Sequence, residues 1–206
     1  AAPNLDSLLE FVGSDKVSVR DGRLVKSDPR VQLDFNSVAK GYTVDRVALL
    51  LEEYGAENYL VDIGGEVRCR GVNPHGDPWR IGIERPVDGV AYGQTSEVRV
   101  ALSGGSLATS GNYRRFFIDA AGNKVAHTID PRTGRSVVSR LLSATVVADD
   151  CARADALATM FMALGAEEAL RWVAVHPEAK VLFILADGGE GFETYVSPAM
   201  RNLILE

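Results

Sequence analysis

The chain has 206 residues, 46% of them hydrophobic and 24% charged, with a formal net charge of −6. That length supports one domain, residues 1–206, able to bury a sizeable core. The acidic balance excludes a generic nucleic-acid binder, because no lysine and arginine excess is present to displace counterions, but a small phosphate ligand needs only a few local donors.

Leu5 to Val12 reads as a short helix, apolar at Leu5, Leu8, Leu9 and Val12. Residues 15–20 and 23–25 flank Asp21-Gly22, a pair suited to the positive φ angles of a two-residue hairpin turn. Val31 to Phe35 alternates like a strand. Ala39 to Tyr54 reads as a helix, with Val44, Val47, Ala48 and Leu51 at helical spacing and Gly55 as its stop. Tyr59 to Ile63 predicts a buried strand, broken by Gly64-Gly65 and resumed over 66–71. Further strands are expected at 79–83, 98–102, 113–118 and 124–128, the last two around the loop Asp119 to Asn123. Leu142 to Ala148 is another. Two helices follow, Asp150 to Leu164 closed by Gly165, and Glu167 to Val175 closed by His176-Pro177. Val181 to Ala186 and Phe192 to Val196 complete the strands. Many strands, few helices and no strict βαβ alternation define an α+β fold with a mixed, mainly antiparallel sheet. No apolar run approaches the roughly 18 residues of a membrane span. Cys69 and Cys151 lie far apart and read as free thiols.

Four clusters carry chemistry. In Asp34 to Asp45, a strand is expected to enter a helix that Asn36 or Ser37 can cap; its first amides can hold an anion, or the segment is an ordinary capped helix with a solvated Lys40. In Val61-Asp-Ile-Gly-Gly-Glu66, the paired glycine permits close approach of a ligand or marks a tight turn. The third cluster joins Ala108 to Tyr113 with His127 to Gly134. There His127 can titrate near neutrality as a general base or serve as a structural histidine; His75 and His176 read as surface residues. In the fourth, Asp149 to Thr159, a helix places Asp155 and Thr159 on one face. Carboxylate and hydroxyl form a hard-oxygen pair suited to Mg²⁺ or Ca²⁺. Alternatively Asp155 pairs with Arg153 or another arginine, while Asp149 or Asp150 caps the helix.

Taken in order, these motifs resemble the ApbE family of FAD:protein FMN transferases: Asp34 to Asp45, Val61 to Gly71, Pro78-Trp79 with Ile81 to Pro86, Ala108 to Tyr113, His127 to Gly134, and Ala154 to Thr159. The resemblance covers roughly residues 30–185. It implies Mg²⁺-dependent transfer of the FMN half of FAD to a threonine or serine hydroxyl of an acceptor protein, with release of AMP. Some relatives instead hydrolyse FAD to FMN and AMP, and an inactive flavin-binding fragment is the remaining alternative. The resemblance places the metal on Asp155, Thr159 and the backbone carbonyl of Ala39, and makes His127 the base. It sets Asn36, Lys40, Tyr42, Asp45, Thr109, Ser110, Gly111, His127 and Ile129 around FAD, with Asp45 alternatively structural. It also implies an upstream segment that contributes to the FAD site, and a bacterial extracytoplasmic setting. Any membrane attachment is expected through a lipid anchor outside this chain.

Overall fold

A computed structural model describes residues 4–84, 96–112, 116–118, 124–189 and 191–205. The elements run α1 (Leu5–Leu9), a 3-10 turn (Ser14–Lys16), β1 (Val17–Arg20), β2 (Arg23–Lys26), α2 (Ala39–Glu53), β3 (Tyr59–Ile63), β4 (Glu66–Arg70), β5 (Trp79–Glu84) and β6 (Ser96–Leu102). They continue with β7 (Gly104–Gly111), β8 (Phe116–Ile118), β9 (Lys124–Ala126), β10 (Ile129–Asp130), β11 (Arg135–Ser136), β12 (Leu141–Ala148), α3 (Cys151–Leu164) and α4 (Ala166–Ala174). The chain closes with β13 (Lys180–Ala186), β14 (Phe192–Val196), α5 (Pro198–Arg201) and β15 (Ile204–Leu205). The expected loop 119–123, the start of the 113–118 strand and the segment beyond Glu84 lie outside the described residues.

Six strands form the central sheet in the order β14-β13-β12-β7-β4-β3, and β15-β6-β5 form a second. Every described strand pair is antiparallel, so the sheet is not mixed there. The pattern along β13 explains the layering. Val181, Phe183 and Leu185 pack with Phe161, Met162 and Val173 of α3 and α4. Leu182 and Ile184 point the other way, against Ile81, Ile83, Val100 and Leu102 of the second sheet. A strand covered on both faces has no polar side to show, which is why this run is continuously apolar. Helices, central sheet and second sheet therefore make three layers.

Phe161 anchors the helical layer, meeting Trp172 and Phe183 edge-on with centroids 5.2 and 5.0 Å away. A smaller core of Val44, Ala48, Tyr59, Val61 and Cys151 fixes α2 beside β3 and the start of α3. The Asp21-Gly22 turn adopts the expected positive φ, 51° and 70°. The strand expected over Val31 to Phe35 does not form. Among the described residues no neighbouring strand offers hydrogen bonds there, and although Val31 is buried, Leu33 and Phe35 are exposed. Helix α1 stops at Leu9, three residues early.

Candidate active site

The site forms where the N-terminal ends of α2 and α3 meet. Gly41 permits the approach: a Cβ there would lie 2.3 Å from the Cys151 carbonyl oxygen and 2.9 Å from the Ala152 Cα. Neither atom belongs to a side chain that can swing away. With only hydrogen in that space, the Gly41 amide donates to Asp155 Oδ2 at 3.0 Å. In the reverse direction, Asp45 reaches from α2 to α3. Its Oδ1 accepts from the Cys151 amide at 2.9 Å and its Oδ2 from the Ala152 amide at 2.9 Å. Arg68 on β4 donates to the same Oδ1 at 2.7 Å. Asp150 caps its own helix by accepting from the Arg153 amide at 2.7 Å. Two aspartates thus satisfy the first three amides of α3, groups that a helix leaves without partners of its own.

These contacts correct parts of the sequence reading. Neither Asn36 nor Ser37 caps α2; the N-cap is Val38, and no side chain bonds there. The Asn36 side chain turns back to Asp34 Oδ2 at 3.1 Å. Asp155 bonds to the Gly41 amide rather than pairing with Arg153. Asp45, for which a place near flavin and a structural role were both open, directs both oxygens to protein donors.

Asp155 is 3% exposed. Burial pushes its pKa above the usual carboxylate range, opposed by the Gly41 amide and the Lys40 charge. Among the described residues its Oδ1 accepts no hydrogen bond. Glu66, opening β4 after Gly64-Gly65, is 2% exposed. Its pKa is also raised, first by burial, with the Asp155 charge contributing and Lys40 opposing. The Lys40 ammonium lies 2.5 Å from Glu66 Oε2. With both carboxylates ionised, Asp155, Glu66 and the Lys40 ammonium would carry a net negative charge, an unfavourable arrangement unless further positive charge is supplied.

One turn past Asp155, Thr159 Oγ1 is 3.2 Å from Ser110 Oγ. The Ala39 carbonyl accepts from Thr43 Oγ1 at 2.8 Å. Among the described residues no group of three or more His, Cys, Asp or Glu is placed to hold a metal ion. An ion here would instead rest on one carboxylate with hydroxyl and carbonyl oxygens, the donor chemistry that Mg²⁺ accepts while keeping several waters. The open Asp155 Oδ1 and the surplus negative charge fit such an ion.

Other expected site residues separate into groups. Ser110 faces α3, whereas Thr109 points to the opposite side of the sheet, where its hydroxyl pairs with Thr145 at 2.8 Å. Strand alternation forbids both hydroxyls from lining one pocket. Gly111 ends β7 opposite Ser143. Tyr42 and Ile129 are more than half exposed. His127 is exposed just after β9, and β10 lies against α3. The turn after β10 is held by Arg132, which binds Asp130 and reaches Glu168 on α4 at 2.9 Å. Arg68 and the charge on Glu66 were missed from sequence. The available signal was the charged residues Glu66 and Arg68 alternating with the apolar Val67 and Cys69 along β4.

A helical layer over an antiparallel sheet, with the buried Asp155 and Glu66 carboxylates gathered near two helix starts, defines an α+β domain. A model of the ApbE family matches residues 1–183, and the chain belongs to that family. It is 36% identical to the FAD:protein FMN transferase of Salmonella typhimurium over 88% of this chain and 50% of that protein. It is 37% identical to the Vibrio cholerae FAD:protein FMN transferase over 97% of this chain and 58% of that one. The apo crystal structure of the Pseudomonas stutzeri flavinyl transferase ApbE is similar with a TM-score of 0.85 and 34% identity, covering 98% of this chain and 62% of that chain. The chain thus spans about half to three fifths of the length of these curated relatives.

Proposed function

We propose that this domain transfers the FMN moiety of FAD to a threonine or serine hydroxyl of an acceptor protein, releasing AMP, with Mg²⁺ or a similar divalent ion bound. The supporting observation is the buried Asp155, held by the Gly41 amide on one oxygen and open on the other. Asp155, Thr159 and the Ala39 carbonyl would hold the ion, which supplies charge neutralisation for the pyrophosphate. Lys40, half-exposed beside Glu66, is positioned to bring a second positive charge to the phosphates. The acceptor hydroxyl oxygen attacks the FMN-side phosphorus, a new phosphoester forms, and the bond to the AMP phosphate breaks. His127 takes the hydroxyl proton, and AMP leaves with the electron pair of the broken bond. Tyr42 and Ile129 offer exposed apolar surface to the rings of the dinucleotide. An extracytoplasmic bacterial setting belongs to the same reading and rests on the family resemblance.

Incubation with FAD, MgCl₂ and a threonine-bearing acceptor protein tests the proposal. Covalent flavin fluorescence on the acceptor in a denaturing gel is expected, and Asp155→Ala is expected to abolish it while circular dichroism stays native. Free FMN and AMP without labelled acceptor would mean that water is the acceptor and the enzyme is a pyrophosphatase.

A further inference from the structure

The capping between α2 and α3 is reciprocal. Asp155 of α3 accepts from an amide in the first turn of α2, and Asp45 of α2 accepts from the first two amides of α3. Asp45 is 7% exposed, and Arg68 supports it from β4. The nearby Tyr59 hydroxyl donates to Glu52. The bonds run in opposite directions between the same two helix ends. They therefore fix both the spacing of the helices and their rotation about each other. Those two variables set how far the Ala39 carbonyl, on α2, stands from Asp155 and Thr159, on α3.

We propose that Asp45 is the positioning residue of the metal centre, holding the α2 carbonyl and the α3 side chains at the separation a single small cation can bridge. The inference rests on the metal assignment made above. Both Asp45 oxygens are taken by protein donors, so its action runs through the Cys151 and Ala152 amides. Asp150 provides the internal comparison. It caps the same helix, but through the Arg153 amide alone and without reaching α2.

The test compares Asp45→Asn with Asp150→Ala. Asparagine can still accept one amide hydrogen bond but loses the second acceptor oxygen and the charge facing Arg68. Both variants are expected to fold and to lower the urea midpoint. Two readouts separate positioning from cap stability. First, hydrogen exchange at the Gly41 amide, measured without metal, should accelerate in Asp45→Asn and stay unchanged in Asp150→Ala. Second, Mn²⁺ titration followed by electron paramagnetic resonance should show about tenfold weaker binding in Asp45→Asn, the usual scale for losing an outer-shell partner, and wild-type binding in Asp150→Ala. Saturating Mn²⁺ should restore most of the turnover of Asp45→Asn. Equal ion affinity in wild type and Asp45→Asn, or equal losses in both variants, overturns the proposal. Should Asp45→Asn prove unfolded, Arg68→Gln, which leaves both capping bonds in place and removes only their support, is expected to weaken Mn²⁺ binding in the same direction, and unchanged binding there also overturns it. Failure of the underlying metal reading looks different: wild-type protein then binds no Mn²⁺ that Asp155→Ala removes.

Discussion

Gly41→Ala isolates the close approach of the two helices. The added Cβ would begin 2.3 Å from the Cys151 oxygen and 2.6 Å from its carbonyl carbon. Reaching an ordinary contact near 3.5 Å requires the backbones to part by about 1 Å. That displacement stretches the 3.0 Å Gly41–Asp155 bond beyond hydrogen-bond range. Overpacking costs about 1–3 kcal/mol. A buried carboxylate stripped of a donor adds about 1–3 kcal/mol. Replacing glycine in a helix returns about 1 kcal/mol. The net expectation is a destabilisation of roughly 1–5 kcal/mol, read from urea unfolding followed by circular dichroism, together with weaker divalent-ion binding by titration calorimetry. A Gly41→Ala protein within about 0.5 kcal/mol of wild type, the range of an ordinary surface change, would refute the argument that backbone contact sets this geometry.

Burial raises the Asp155 pKa, so its ionised form opposes folding; this penalty is absent below the unfolded value near 3.8 and grows as pH rises through the folded value. Metal-free Asp155→Asn is therefore expected to melt above wild type at neutral pH, with the gap closing on acidification toward about pH 4; a gap independent of pH refutes this. The Cys69 and Cys151 thiols are pushed up to about 11 and about 12 by burial. Neither should react with an aromatic disulfide reagent at pH 8 until the protein is unfolded in urea, and rapid native-state labelling would contradict the structure.

The legible parts of the fold were those governed by local pattern. Apolar spacing marked α2, and Gly55 and Gly165 marked the ends of α2 and α3. Asp21-Gly22 carried the backbone preference of its own turn. What sequence could not supply was pairing. Val31 to Phe35 alternates as a strand should, yet among the described residues no strand pairs with it. Asn36 is a good capping residue, but Asp34 is nearer and takes its side chain. The site divides the same way. Asp155 and Thr159 share a helix face because of their spacing, and the structure keeps them together. Thr109 and Ser110 are adjacent in sequence and therefore point to opposite faces of their strand. The roles of Asp45, Glu66 and Arg68 depend on partners distant in sequence, such as Cys151, 106 positions from Asp45, and no local pattern encodes them.

The Gly41–Asp155 bond spans 114 positions of the chain. During synthesis α2 leaves the ribosome long before α3, so its glycine-bearing turn must wait with that amide still solvated. Closing so long a loop is among the slower events of folding. On the proposed metal assignment, ion capture would follow closure of this loop, and a nascent chain interrupted before residue 155 would lack the carboxylate that the assignment requires.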